Sequence, residues 1–120
     1  LVFTREQVAG FGSNQQVYLW GVQAGSGMAI NLTVAEYWPE YVTSADPAQE
    51  WGLLLDPSRK ASNTNDNFAE VYPDGHFVEY LQPGTEDYGY LDWQSLRLGF
   101  QQSGDGAYYL SAIIHDEWTP

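Results

Sequence analysis

The stretch from Ser95 to Ile114 constrains this chain more than any other. Leu96, Leu98 and Phe100 alternate with Ser95, Arg97 and Gly99, Gly104-Asp105-Gly106 follows, and Tyr108 to Ile114 runs almost continuously apolar. A period of two belongs to a strand and a Gly-Asp-Gly triplet reverses the chain, so these residues predict a β-hairpin. A strand apolar on both faces belongs in the middle of a structure, which makes this hairpin the expected folding core.

Other segments carry similar signals. Phe68–Tyr72 and His76–Leu81 flank Pro73-Asp74-Gly75. Proline presets the second turn position and glycine takes the left-handed one, so a second hairpin is expected there, followed by a loop from Gln82 to Asp92. Val17, Leu19 and Val22 alternate with Tyr18 and Trp20, Gly25-Ser26-Gly27 turns the chain, and Met28, Ile30, Leu32 and Val34 alternate with smaller or polar residues. That pattern predicts a third hairpin with one buried face.

Thr4-Arg5-Glu6-Gln7 has the form of a capping box, and Gly10 and Gly12 stop the helix it starts. Thr33-Val34-Ala35-Glu36 has the same form, with Pro39 limiting that helix to about one turn. In Asp46-Pro47-Ala48-Gln49-Glu50 an N-cap acid precedes a first-turn proline. Short helices are therefore expected near residues 4–10 and 46–52, with a polar loop over residues 56–67. Together these elements predict a mainly β or α+β protein. A single domain over residues 1–120 is expected, with a strongly twisted antiparallel sheet of about six strands.

Composition narrows the functions. The 120 residues include 16 acidic and 4 basic side chains, a net charge of −12, and no cysteine. Disulfide scaffolds, thiolate catalysis and cysteine-ligated metals are excluded. Four cations displace few counterions, so nucleic acid is not an expected partner, and no apolar run is long enough for a spanning helix. The lack of cysteine fits a cytoplasmic protein and also the exterior of bacteria that make few disulfides.

Several groups could carry chemistry. His115-Asp116-Glu117 is the densest set of ionisable side chains with catalytic potential, and a histidine beside carboxylates can act as acid, base or ligand. Adjacent strand residues point to opposite faces, however, and no Gly-x-Ser-x-Gly string accompanies His76 or His115. Asn63, Asn65, Asn67 and Glu70 offer oxygen ligands for calcium, but they lack the glycine and terminal acid of an EF-hand loop. An ordinary turn is the plainer reading, and no metal or cofactor is assigned.

Two aromatic clusters, Tyr88, Tyr90 and Trp93, and Tyr37, Trp38 and Tyr41, could stack on sugar rings while nearby acids accept hydroxyl hydrogen bonds. The alternative is that these rings close the ends of a small β core. From Ala61 to Leu96 there is no basic residue, and such an acidic stretch could face a basic protein. Arg97 stands alone among acids at mid-strand and is expected in a salt bridge that fixes the last hairpin.

The closing residues also carry a resemblance. Ser95-Leu96-Arg97-Leu98-Gly99-Phe100, Tyr108-Tyr109-Leu110 and Ile113-Ile114-His115-Asp116-Glu117-Trp118-Thr119 resemble the ending of uncharacterised secreted or lipoprotein domains of Gram-positive bacteria. The similarity covers about 25 residues. It departs at Tyr108, where tryptophan is usual, and at Pro120, where an aliphatic residue is. It implies an extracellular or cell-envelope location, with a signal or lipid anchor upstream of Leu1, and no particular chemistry. The expected function is a non-catalytic extracytoplasmic domain binding a glycan or protein. The alternatives are a small hydrolase using His115, Asp116 and Glu117, and an acidic inhibitor of a basic enzyme.

Overall fold

The computed structural model describes residues 1–44, 52–55 and 68–118. The chain divides into two compact units, Leu1–Asp46 and Pro47–Pro120. The protein is mainly β with a few short helices. Among the described residues the strands form two antiparallel sheets, one of two strands and one of four, rather than the single six-stranded sheet expected. No helix among these residues is long and apolar enough to cross a membrane.

In the first unit, helix α1 (Arg5–Ala9) starts as its sequence dictates: the Gln7 amide donates to Thr4 Oγ1 at 3.2 Å and the Thr4 amide to Gln7 Oε1 at 2.8 Å. Strands β1 (Tyr18–Val22) and β2 (Ala29–Leu32) form the predicted hairpin, with a register shift between Leu19 and Gly21. Its inward face differs from expectation. Val17, Leu19, Val22 and Met28 are exposed, while Tyr18, Trp20, Ile30 and Leu32 are half-buried. Aromatic rings offer more area and can pack on one another. Phe3 meets Phe11 edge-on at 4.9 Å, Trp20 stacks on Tyr37 at 3.8 Å, and Tyr37 stacks on Tyr41 at 4.8 Å.

Helix α2 (Val34–Tyr37) also opens with its capping box, Thr33 paired with Glu36. The α-helix is limited to about one turn, as expected, and the chain goes on past Pro39 in a different form. The chain widens into a π turn over Trp38–Val42, closed by the Thr43 amide donating to Trp38 O at 3.0 Å. Widening by one residue is a local adjustment that accommodates the proline ring and its missing donor.

The second unit holds β3 (Gly52–Leu55), α3 (Phe68–Val71), β4 (His76–Gln82), β5 (Gln94–Gln102) and β6 (Tyr108–Glu117), with sheet order β3-β4-β5-β6. The expected helix over 46–52 lies outside the described residues except for Gly52, which begins a strand. Phe68–Val71 is helical rather than the first strand of a hairpin. Ala69 and Glu70 favour helix, and the Gly75 amide closes the Pro73-Asp74 turn on Tyr72 O at 2.9 Å to start β4 alone. The partner of β4 on that side is β3, with Leu54 opposite Glu79.

The last hairpin forms as expected, yet β6 lies at the edge of the sheet rather than in its middle, and β4 and β5 are central. The register sorts the side chains. Val78, Leu98 and Ile113 share one face with Tyr80, Leu96 and His115, while Glu79, Arg97 and Ile114 share the other with Ser95 and Asp116. The more deeply enclosed face is the polar one: Ser95, Arg97 and Gly99 are buried and their apolar neighbours on β5 only partly so.

Candidate functional site

Two regions of the second unit place sequence-predicted residues in defined geometry. The first is the polar face of the sheet. Arg97 Nη2 lies 2.9 Å from Asp116 Oδ2 and its Nε lies 3.7 Å from Glu79 Oε2, while Ser95 Oγ donates to Glu79 Oε1 at 3.0 Å. Glu79 is 3% exposed and Arg97 5%. Three adjacent strands thus contribute one member each to an ion-paired row, buried at Glu79 and Arg97 and half-buried at Asp116, and the expected salt bridge of Arg97 is present. Glu79 and Ser95 were not singled out by the sequence. Ser95 shares the face of Arg97 through the period of β5, whereas only the β4–β5 register reveals that Glu79 faces it, and register is a long-range property.

His115 and Glu117 come together, but Asp116 does not join them. Asp116 turns to Arg97, whereas His115 and Glu117 occupy the opposite face, with His115 Nε2 3.8 Å from Glu117 Oε2. Burial pushes the His115 imidazole down to about 4, so it is neutral at pH 7. A neutral, enclosed imidazole across the sheet from Asp116 does not form an assembled acid–base pair with it.

The second region is the loop between β4 and β5, residues 83–93. It is tied at its ends rather than slack. The Thr85 amide and hydroxyl donate to the Asp92 carboxylate at 2.6 and 2.8 Å, and the Thr85 amide holds Asp92 below the usual carboxylate range. A short helical turn over Glu86–Tyr88 ends in two left-handed residues, Gly89 at φ 60° and Tyr90 at φ 64°, and the Tyr90 amide returns to Thr85 O at 2.8 Å. A left-handed tyrosine is an unusual conformation, held here by the bonds around it. Gly84 packs directly beneath: a Cβ there would sit 2.5 Å from the Tyr90 carbonyl carbon. Gly84→Ala is expected to cost about 1–3 kcal/mol and to loosen the loop. Urea unfolding and faster amide exchange at Tyr90 and Leu91 would show it.

The aromatic candidates divide by exposure. Tyr88 is 57% and Tyr90 62% exposed, on the outside of the tied loop with Leu91, Glu86 and Asp87. Trp93 is buried at the loop base, its carbonyl accepting from the Trp118 amide at 3.0 Å. In the first unit Tyr41 is buried, Tyr37 lies within the ring stack, and Trp38 is exposed. Of the calcium candidates, Asn63, Asn65 and Asn67 lie outside the described residues, and Glu70 is exposed on α3. No family model, curated protein or solved structure matches the chain.

Proposed function

We propose that this chain is a non-catalytic extracytoplasmic binding domain whose ligand is a glycan, engaged through Tyr88 and Tyr90. The observation that carries the reading is the exposure of both rings on a loop whose backbone is already fixed. A pyranose presents C–H groups to an aromatic face, and carboxylates such as those of Glu86 and Asp87 accept its hydroxyls. A fixed loop also loses little conformational entropy on binding. The extracytoplasmic placement rests on the resemblance of residues 95–119 to secreted and lipoprotein endings.

The test is retention of the full chain on a panel of immobilised glycans. Tyr88→Ala and Tyr90→Ala are each expected to lower affinity about tenfold while leaving the fold intact, since neither ring is packed inside. Undiminished retention of both variants, or no retention on any glycan, would contradict the reading. A basic protein is the second reading, favoured by the exposed acids at Glu86 and Asp87 in a stretch without bases. Binding of that kind weakens steeply with salt, whereas stacking on a neutral sugar does not.

A further inference from the structure

A ligand at the Tyr88 and Tyr90 rings meets a surface already sorted by charge. From Ala61 to Pro120 the sequence holds ten acids, two histidines and a single arginine or lysine, Arg97. That guanidinium is 5% exposed and engaged by Glu79 and Asp116, so it offers nothing to a ligand at the loop. The loop divides its own acids as well. Asp92 is taken up by the Thr85 amide and hydroxyl, whereas Glu86 and Asp87 are exposed and, among the described residues, neither carboxylate has a partner. The Gly89 amide closes on Glu86 O at 3.0 Å and the Tyr90 amide on Thr85 O at 2.8 Å, so both acids and both tyrosines belong to one turn. The exposed tyrosines of β6 differ. There the Asp105 carboxylate is engaged by Ser103 Oγ and the Ala107 amide, and the Tyr109 hydroxyl reaches Gln101 Oε1.

We propose that the ligand of the Tyr88 and Tyr90 turn is a glycan whose sugars carry free ammonium groups, an unacetylated hexosamine chain. The inference rests on the reading of these rings as a sugar platform and adds the charge of the sugar. Carboxylates only accept, and an ammonium donates three charge-assisted hydrogen bonds where a hydroxyl donates one neutral one. The phenol faces attract a cation too. An anionic sugar, a uronate or a phosphorylated ring, would be repelled by Glu86 and Asp87, with no base between Ala61 and Leu96 to offset them. An N-acetylated sugar keeps the stacking face and loses the charge. A basic peptide fits less well. On a hexosamine the ammonium is bonded to the ring itself, so stacking and ion pairing occur together, whereas a lysine ammonium sits on a flexible stem that must be ordered on binding.

The experiment is titration of the full chain, at pH 6.5 and low salt, with a glucosamine tetrasaccharide, its N-acetylated counterpart and a tetralysine peptide. Expected is at least about tenfold tighter binding of the glucosamine probe than of its N-acetylated form, an advantage that shrinks as salt is raised while the N-acetylated affinity holds. Glu86→Gln combined with Asp87→Asn should abolish that advantage and leave the N-acetylated affinity unchanged. Asp74→Asn, at an exposed acid outside the turn, should leave the advantage intact, which separates a local contact from attraction by net charge. If the double variant does not fold, the two single variants decide, each losing part of the advantage. Tyr88→Ala should weaken both sugars. The proposal is overturned, with the platform standing, if Tyr88→Ala weakens binding but the N-acetylated sugar binds as tightly as glucosamine. Tetralysine binding as tightly as glucosamine, an advantage that survives the Glu86 and Asp87 substitutions, or one that Asp74→Asn lowers equally would also overturn it. No binding of either sugar, or binding indifferent to Tyr88→Ala, would overturn the platform reading and the proposal together.

Discussion

Arg97→Met is expected to lose about 3–5 kcal/mol of stability, the largest single-site effect in the second unit. Among the described residues the guanidinium lies between Glu79 and Asp116, all on one buried or half-buried face. Removing it takes the compensating charge from a Glu79 carboxylate whose side chain is 4% exposed and from the half-buried Asp116 on the strand beyond. Arg97→Lys should lose less, because the charge stays although the planar fork that reaches Asp116 is gone. Asp116→Asn should also cost less, since Glu79 still faces the arginine. Replacing Glu79, Arg97 and Asp116 together with apolar residues should recover most of the loss, which distinguishes an electrostatic cost from a packing one. Urea unfolding at pH 7 measures all four variants, and an Arg97→Met loss below about 1 kcal/mol would refute the buried-row account.

Acid should destabilise the protein well before its carboxylates titrate. His115 is lowered from 6.5 to about 4 by burial among Tyr80, Leu96 and their neighbours on the apolar face. Because the folded value lies below the unfolded one, the unfolded chain takes up the proton first. The stability tied to neutral His115 is thus complete above pH 6.5 and is lost as pH falls towards 4, by up to about 3 kcal/mol. Glu117, 3.8 Å away on the same face, attracts the imidazolium and trims that loss. His115→Leu should flatten the stability profile between pH 6.5 and 5. Chemical denaturation in that window tests the sign, and a stability that rises on acidification would contradict it.

Local chemistry was legible in the sequence and long-range placement was not. The capping boxes at Thr4 and Thr33 form because each needs only four consecutive residues, and the β5–β6 turn forms because Gly104-Asp105-Gly106 permits it, Gly106 adopting φ 85°. The salt bridge of Arg97 was foreseen from its isolation among acids, but not that Glu79 and Ser95 complete the row. Apolar content placed β6 at the centre of the sheet. Its position at the edge depends on which strands find each other, and periodicity does not encode that. Val17 and Leu19 alternate as an inward face should, yet Tyr18 and Trp20 turn inward because other rings lie there to receive them. In the same way, two tyrosines and a tryptophan within six residues read as one cluster. The fold splits them, enclosing Trp93 and leaving Tyr88 and Tyr90 outside.

The binding account is tested most directly by amide chemical-shift mapping of the labelled full chain during titration with a glycan that it retains. Shifts concentrated in residues 85–92, with Tyr88 and Tyr90 the largest and saturating together, are the predicted result. Shifts centred on His115 to Glu117, or confined to residues 1–44, with residues 85–92 unmoved at saturation, would contradict it.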